Sequence, residues 1–453
     1  GARTEMKATR SRSARTIRPQ PFALVPQHFG SMLFDRQRVQ YFPFDHDASE
    51  LLELWTRESC DGIIGEQKDE QRRSQIAGFA EHLLREGILS CDGRLDAKVL
   101  KPAANSRPTT SMETKEAERV GQTHLTGPLV THVEIVGACN ITCTHCFAGD
   151  LPRNQNPLTL DELDTLFRDL ASIGCFRVSL TGGEPLLRHD LFEIIDSATS
   201  HQLHATVTTN GTLITKAVAE QFGTRPGVRV NLSLEGSTAA SNDSVRGAGT
   251  FDQVCEKAAL LRPYADFTIG FTITRQNAAE AEACASLAKR LGARAAVFRP
   301  LFPVGVAQRH PSMMPSFDEY VDTLKTIAGC DTIESPALEG NSMCAAGRLL
   351  ASVSAQGDVN ACGFLGEKYA VENIRNRLFS EIWNDSDSMH EFRHCEGDAS
   401  DQNDGTNHFQ GGCRARALAA NGDVNAVDPW HEQYESEPLR HFFPISNLSV
   451  TRG

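Results

Sequence analysis

Cys139-Asn-Ile-Thr-Cys143-Thr-His-Cys146 carries three thiols inside eight residues, with three and then two residues between them. Three thiolates on so short a loop hold three irons of a cuboidal iron–sulfur cluster and leave the fourth iron open to a ligand. Zinc is the competing reading, with His145 as the fourth ligand of a tetrahedral site, but His145 adjoins Cys146 and neighbouring residues rarely converge on one ion. The chain has thirteen cysteines and no apolar export signal. In a reducing cytosol that number points to metal binding or catalysis rather than to disulfides. Cys60, Cys91, Cys175, Cys255, Cys284 and Cys330 fall inside expected helices, strands or the N-terminal module and read as small buried hydrophobes. The fifteen histidines show no metal-like spacing.

The elements that must hold this loop form a long alternating run. Strands are predicted near 131–137, 176–182, 204–209, 228–234, 267–274 and 294–301. Helices are predicted near 159–173, 190–201, 214–222, 251–263 and 278–291. Strand and helix in alternation signify βα units around a parallel sheet, either doubly wound or closed towards a barrel, with chemistry at the strand C-terminal ends. Beyond Pro315 the pattern predicts a helix over 317–329 and a hairpin about Gln356-Gly357-Asp358, flanked by Leu350-Ala-Ser-Val353 and Val359-Asn-Ala-Cys362.

Ahead of the run, residues 1–20 carry six basic side chains against one acid and read as a disordered arm, or less well as an organelle transit peptide. Residues 21–100 predict a small α+β module. It holds a hairpin from Met32-Leu33-Phe34 and Val39-Gln40-Tyr41-Phe42, a helix capped about Asp47 with Leu51, Leu52, Leu54 and Trp55, and a second helix through Ile76, Phe79, Leu83 and Leu84 ending near Gly87. Residues 101–127, rich in Pro, Thr, Ser and charge, read as a linker. With 453 residues and a formal charge of −13, the composition fits a soluble multidomain chain that repels nucleic acid, and no stretch is long and apolar enough for a membrane helix. The expected location is the cytoplasm.

The cysteine loop does not stand alone. Thr181-Gly182-Gly183-Glu184-Pro185 ends the second strand of the run, Thr208-Thr209-Asn210-Gly211 the third, and Ser233-Leu234-Glu235-Gly236 the fourth. This order resembles the radical S-adenosylmethionine (SAM) superfamily, whose Cys-x3-Cys-x2-Cys motif follows the first strand of a partial (βα)6 barrel. The resemblance implies that Cys139, Cys143 and Cys146 ligate a [4Fe–4S] cluster whose open iron takes SAM. It further implies SAM contacts from Gly182, Gly183, Glu184, Thr209, Asn210, Ser233, Glu235 and Arg246. Glycines let backbone approach a ligand where a Cβ would intervene, and an arginine fork suits a carboxylate. The family more often has Asp where Glu235 stands.

Cys344-Ala-Ala-Gly347, Gly357-x4-Cys362, Cys395 and Gly411-Gly412-Cys413-Arg414-Ala415 resemble the auxiliary-cluster extensions of the same superfamily, known as SPASM and twitch domains, over 316–440. Cys344, Cys362, Cys395 and Cys413 would supply one auxiliary [4Fe–4S] centre. The full SPASM run of cysteines is absent: Asp398 and Gln410 stand near two of its positions, and Trp430-His431 follows Asp428-Pro429 where a further cysteine is usual. A second auxiliary cluster is therefore not expected, and Asp398 reads as a surface carboxylate before an oxygen ligand. Residues 441–453 read as a tail.

The resemblance implies that one electron, from a partner such as ferredoxin or flavodoxin, splits SAM to methionine and a 5′-deoxyadenosyl radical that takes hydrogen from substrate. The N-terminal module is similar in pattern to leader-peptide recognition domains, including the small chaperone of pyrroloquinoline quinone biosynthesis, which add the leader as a strand at a sheet edge. The leading expectation is a maturase that installs a crosslink or other change in a ribosomally made precursor peptide. A small-molecule enzyme acting on a tetrapyrrole-type side chain is the alternative, because such relatives share the Gly-Gly-Cys-Arg-Ala ending. A non-catalytic iron–sulfur or zinc scaffold is a third possibility.

Overall fold

The structure, a computed structural model, describes residues 20–101, 124–149, 156–328, 330, 344–393 and 411–436. Strands β1 (Phe22–Gln27), β2 (Gly30–Asp35) and β3 (Gln40–Asp45) form an antiparallel meander, and β4 (Ala97–Val99) pairs parallel with β1 to give the order β3-β2-β1-β4. The expected hairpin is the β2–β3 pair. β1 escaped notice because both its faces are covered: Ala23 and Val25 belong to the barrel's core, Phe22 and Leu24 to the module's own. A strand buried on both sides loses the period-two alternation that marks a half-buried one.

The following helix, His46–Trp55, is capped by Asp45, whose carboxylate accepts the Ala48 N–H at 2.9 Å. This corrects the expectation of a cap at Asp47, which is exposed and meets Arg72 at 3.2 Å. A short helix, Cys60–Glu66, was not anticipated; two glycines in its seven residues lower its propensity. Helix Glu70–Arg85 then closes the module. Cys60, Cys175 and Cys284 are buried as expected. Cys91 is exposed, because it lies in a turn past the last helix rather than on a packed face, and Cys255 and Cys330 are half-buried.

The module is docked on the main domain. Phe34 stacks on Phe176 at 5.1 Å, the Arg36 guanidinium lies 4.8 Å from the same ring, and Arg36 Nη1 donates to the Gln202 carbonyl at 2.8 Å. Phe176 immediately precedes β6 and Gln202 lies two residues before β7, so the module covers the strands' N-terminal ends, the face away from the cysteine loop.

The main domain runs β5 (Val130–Val136), β6 (Arg177–Gly182), β7 (His204–Thr209), β8 (Val228–Ser233), β9 (Phe267–Ile273) and β10 (Ala295–Pro300), all parallel and adjacent in chain order. Each falls within two residues of its predicted bounds. Helices Leu160–Ser172, Leu191–Ser200, Lys216–Gly223, Thr250–Leu261 and Ala281–Leu291 occupy the expected intervals. One helix was missed: Ala239–Arg246, which opens on a Thr238–Ser241 capping box but has no continuous apolar stripe. This is an α/β fold with a partial (βα)6 barrel.

At the β5 edge the sheet continues into the C-terminal region. β11 (Leu350–Val353) pairs parallel with β5, and β12 (Asp358–Asn360) and β13 (Ala370–Asn373) follow antiparallel. The predicted hairpin is thus β11–β12, and its graft onto β5 brings the C-terminal cysteines to the barrel mouth. The end of the expected linker is packed: Leu125 is buried, and its carbonyl accepts the Trp383 indole N–H at 2.7 Å. The basic arm, most of the linker and the tail lie outside the described residues.

Candidate functional site

The cysteine loop leaves β5 and is held from several sides. Asn140 Nδ2 donates to Thr212 Oγ1 at 2.9 Å, and Asn210 Nδ2 donates to Asn140 Oδ1 at 2.8 Å. The Thr144 N–H donates to the Val245 carbonyl at 3.0 Å, and the Val306 N–H to the Cys146 carbonyl at 2.9 Å. Asn210 Nδ2 also lies 3.9 Å from Cys139 Sγ. The β7 end therefore contributes, through Asn210 and Thr212, to positioning the loop.

Gly182 and Gly183 are glycines for a steric reason. Gly182 has φ +136°, and a Cβ there would sit 2.0 Å from the Val136 carbonyl oxygen; one on Gly183 would sit 2.0 Å from that of Ala138. The strand end is pressed against the chain entering Cys139, and backbone cannot yield as a side chain does. Ser233 and the two glycines are partly exposed at the strand ends.

Glu184, Thr209, Asn210, Glu235 and Arg246 are buried and committed to one another. Glu184 accepts from Thr209 Oγ1 at 2.6 Å and from the Asn210 N–H at 2.8 Å, while burial pushes its carboxyl upward. Glu235 Oε1 meets His145 Nε2 at 3.0 Å and Arg246 Nη1 at 3.1 Å, and Oε2 accepts the Thr272 N–H at 2.7 Å. Burial alone would drive the His145 ring down, but Glu235 overrides it and holds the ring up to about 9. Burial likewise opposes charge on Glu235, and His145 and then Arg246 keep that carboxyl below its usual range. His145 was missed as a positioning residue. The signal was the extra methylene of Glu235, which lets it reach the cysteine loop.

The second cysteine group gathers at the mouth. Cys344, Cys362 and Cys413 are half-buried by residue, and burial raises the Cys362 and Cys413 thiols, the latter to about 11. Charge on Cys344 raises both further, so the three sulfurs are electrostatic neighbours, while Arg416 opposes the rise at Cys413. Asp428 fixes the Cys413 turn: its Oδ2 accepts the Cys413 N–H at 2.7 Å and the Arg416 Nη2 at 2.7 Å. Cys395 and Asp398 lie outside the described residues. Phe147, next to Cys146, packs edge-on against Phe364 at 5.4 Å, and Phe364 stacks on Phe302 at 4.5 Å. An aromatic wall thus joins the two cysteine sites.

Every described cysteine is a thiol. Among the described residues no three His, Cys, Asp or Glu side chains converge where they could share one ion. A single zinc therefore has no geometric support. A cluster asks less, because each thiolate binds a separate iron at its own corner. The donor sets, three thiols on the loop after β5 and Cys344, Cys362 and Cys413 from three segments near the mouth, are all soft sulfur and fit that group.

Comparisons with known proteins agree. Residues 133–288 match the model of the radical SAM superfamily, and residues 344–408 match that of the SPASM iron–sulfur cluster-binding domain. A mycofactocin maturase, MftC of Mycobacterium tuberculosis, is 31% identical over 355 residues, spanning 73% of this chain and 90% of the relative. The chain belongs to the radical SAM superfamily. As a SPASM-bearing radical SAM enzyme it implies a [4Fe–4S] cluster, SAM and auxiliary iron–sulfur binding. An AdoMet-dependent heme synthase of Nitratidesulfovibrio vulgaris is 30% identical over 338 residues, spanning 65% of this chain and 90% of that one. Among solved structures, Streptococcus suis SuiB bound to the precursor peptide SuiA has a TM-score of 0.65 at 16% identity, covering 91% of this chain and 98% of SuiB. That likeness speaks to the fold. Among the described residues no helix of this radical SAM protein is long and apolar enough to cross a membrane.

Proposed function

We propose that this chain is a radical SAM peptide maturase that modifies a residue of a ribosomally made precursor. The observation that carries the reading is the N-terminal sheet. Its β1–β2 region is covered by helices on one face and by the barrel on the other, yet among the described residues β3 pairs only with β2. An edge strand with backbone groups open on one side is a template for an added strand, which is how leader segments are held. The SuiB likeness extends over 91% of this chain, and that SuiB is bound to its precursor peptide SuiA. The heme synthase similarity covers 65% of the chain, which supports the small-molecule reading as the second one.

Cys139, Cys143 and Cys146 would hold the SAM-binding cluster, and Cys344, Cys362 and Cys413 with Cys395 one auxiliary cluster. When bound, the first cluster and SAM supply reductive cleavage of SAM to methionine and a 5′-deoxyadenosyl radical that takes a hydrogen atom from substrate. The chain's residues supply placement. Gly182 and Gly183 offer backbone at contact distance, Ser233 a hydroxyl, and the Glu184 and Glu235 networks hold the strand-end loops against the cysteine loop. The module's position at the opposite end of the barrel requires a peptide to run from β3 around to the mouth. A low-potential donor of the ferredoxin or flavodoxin class would supply the electron, and a cytoplasmic location suits its reduced thiols.

The test is anaerobic co-expression of the whole chain with each short open reading frame beside its gene, followed by mass spectrometry of the peptides. A mass change that disappears with Cys143→Ala supports the maturase. An unmodified set of peptides, together with turnover of a tetrapyrrole side chain, would move the small-molecule reading to first place.

A further inference from the structure

Between the SAM-side glycines and the β11–β12 hairpin lies a small cleft, bordered by Glu134 of β5, Gly182, Gly183, Gln356, Asn360 and Glu367. Glu134, Asn360 and Glu367 line it from two different parts of the fold. Asn360 is 6% exposed, and its Oδ1 has no hydrogen-bond partner. A buried carbonyl oxygen left without a donor costs about 1–3 kcal/mol, so native chains satisfy such atoms unless something else is meant to do so. Glu134 lines the same cleft and accepts the Ala355 N–H. Burial pushes its carboxyl up to about 7, with the Ala355 N–H opposing that rise and Glu367 adding to it. The cleft therefore offers one buried acceptor without a donor, Asn360 Oδ1, beside two carboxylates, Glu134 and Glu367, that carry negative charge when ionised.

We propose that this cleft binds a primary ammonium group of the substrate, with Glu134 and Asn360 Oδ1 as its hydrogen-bond acceptors and Glu367 adding charge. An ammonium has three donors and a positive charge, so one group satisfies the orphaned oxygen and favours ionised Glu134. The site lies beside the expected SAM contacts but uses none of their side chains. It would place the amine-bearing part of a substrate between the two cysteine sites. The proposal rests on the peptide reading only for the source of the amine.

The test uses reconstituted holoenzyme and methylammonium as the probe, with tetramethylammonium as a control of equal charge and no N–H. Infrared difference spectra between pH 5 and 9 should show a carboxyl band that titrates near 7 and is absent from Glu134→Gln. Methylammonium should lower its midpoint by about one unit, the shift a nearby opposite charge produces, and tetramethylammonium should not. Asn360→Leu, with its thermal midpoint measured to verify folding, should reduce the methylammonium effect. An unmoved midpoint with methylammonium overturns the proposal. So does weaker SAM binding by Glu134→Gln, which would assign the cleft to SAM. Absence of peptide modification by the wild-type protein would sink the maturase reading while leaving these outcomes to decide the site.

Discussion

The hydroxyl of Tyr41 accepts the backbone N–H of Phe176 at 2.8 Å and donates to the carbonyl of Gly174 at 3.2 Å. One side chain of the N-terminal sheet thereby completes the turn that feeds β6, the strand ending in Gly182. Burial holds the phenol well above its ordinary pKa, so it stays a donor across the working range. The module is consequently part of the barrel's support as well as a candidate peptide platform. An isolated fragment of residues 20–100 would expose Val25, Met32 and Phe34, which is why binding is best measured on the whole chain.

Tyr41→Phe keeps the ring and leaves the Phe176 N–H without that acceptor. The expected loss is about 1–3 kcal/mol of stability, read as a lower denaturant midpoint. Phe34→Ala at the same seam should cost more, about 3–5 kcal/mol. An unchanged midpoint for both would mean that the two parts are not energetically joined.

Gly183→Ala drives a methyl group into the Ala138 carbonyl, one residue before Cys139. The cysteine loop must shift by a large fraction of an ångström. Misplacement near 1 Å costs about 10²-fold in rate, so 5′-deoxyadenosine formation should fall by roughly that factor while secondary structure is kept. Iron and activity at wild-type levels would remove this close approach as a constraint on the site.

Asp428 is fully buried and binds Arg416 through both oxygens, at 2.9 and 2.7 Å. Asp428→Asn leaves a buried guanidinium without its counter-charge, an expected loss of about 3–5 kcal/mol. Because Asp428 also takes the Cys413 N–H, iron content should fall by the auxiliary share, with the share held by Cys139, Cys143 and Cys146 retained. Spectroscopic iron counting on Asp428→Asn in parallel with Cys413→Ala would check this.

Two histidines inside the barrel set its acid limit. Burial pushes His132 down to about 4 and His204 to about 3, with neighbouring arginines adding to both shifts. Both folded values lie below the unfolded value of about 6.5, so the fold holds these rings neutral. The stability involved is full above about 6.5 and is lost as pH falls, because the unfolded chain then binds protons that the fold refuses. Urea midpoints at pH 7.5 and 5.0 should differ less in His132→Gln and His204→Gln than in the wild type. Equal pH slopes in all three proteins would contradict the assignment.

An alternating pattern with period-two strands and amphipathic helices was sufficient to place six parallel strands within two residues, because each half of a βα unit is marked locally. The Cys139, Cys143 and Cys146 loop, the glycine pair and the Cys344, Cys362 and Cys413 set were legible for the same reason: their meaning lies in residue type and spacing. The β1 strand, the Asp45 cap and the helix ending at Arg246 were not, since burial on both faces, a choice between two nearby carboxylates and a polar helix leave no periodic mark.

Residue type and order by themselves determined the family's cysteine chemistry and the strands that carry it. Only the tertiary structure decided that Glu235 answers to His145 and Arg246, that Tyr41 braces β6, and that Glu134 and Asn360 face one cleft. Those pairs are separated by 11 to more than 200 residues in sequence, and contacts closed by the fold depend on which strands become neighbours. For Glu134 and Asn360 that decision was made where β11 paired with β5, a register that no local pattern announces.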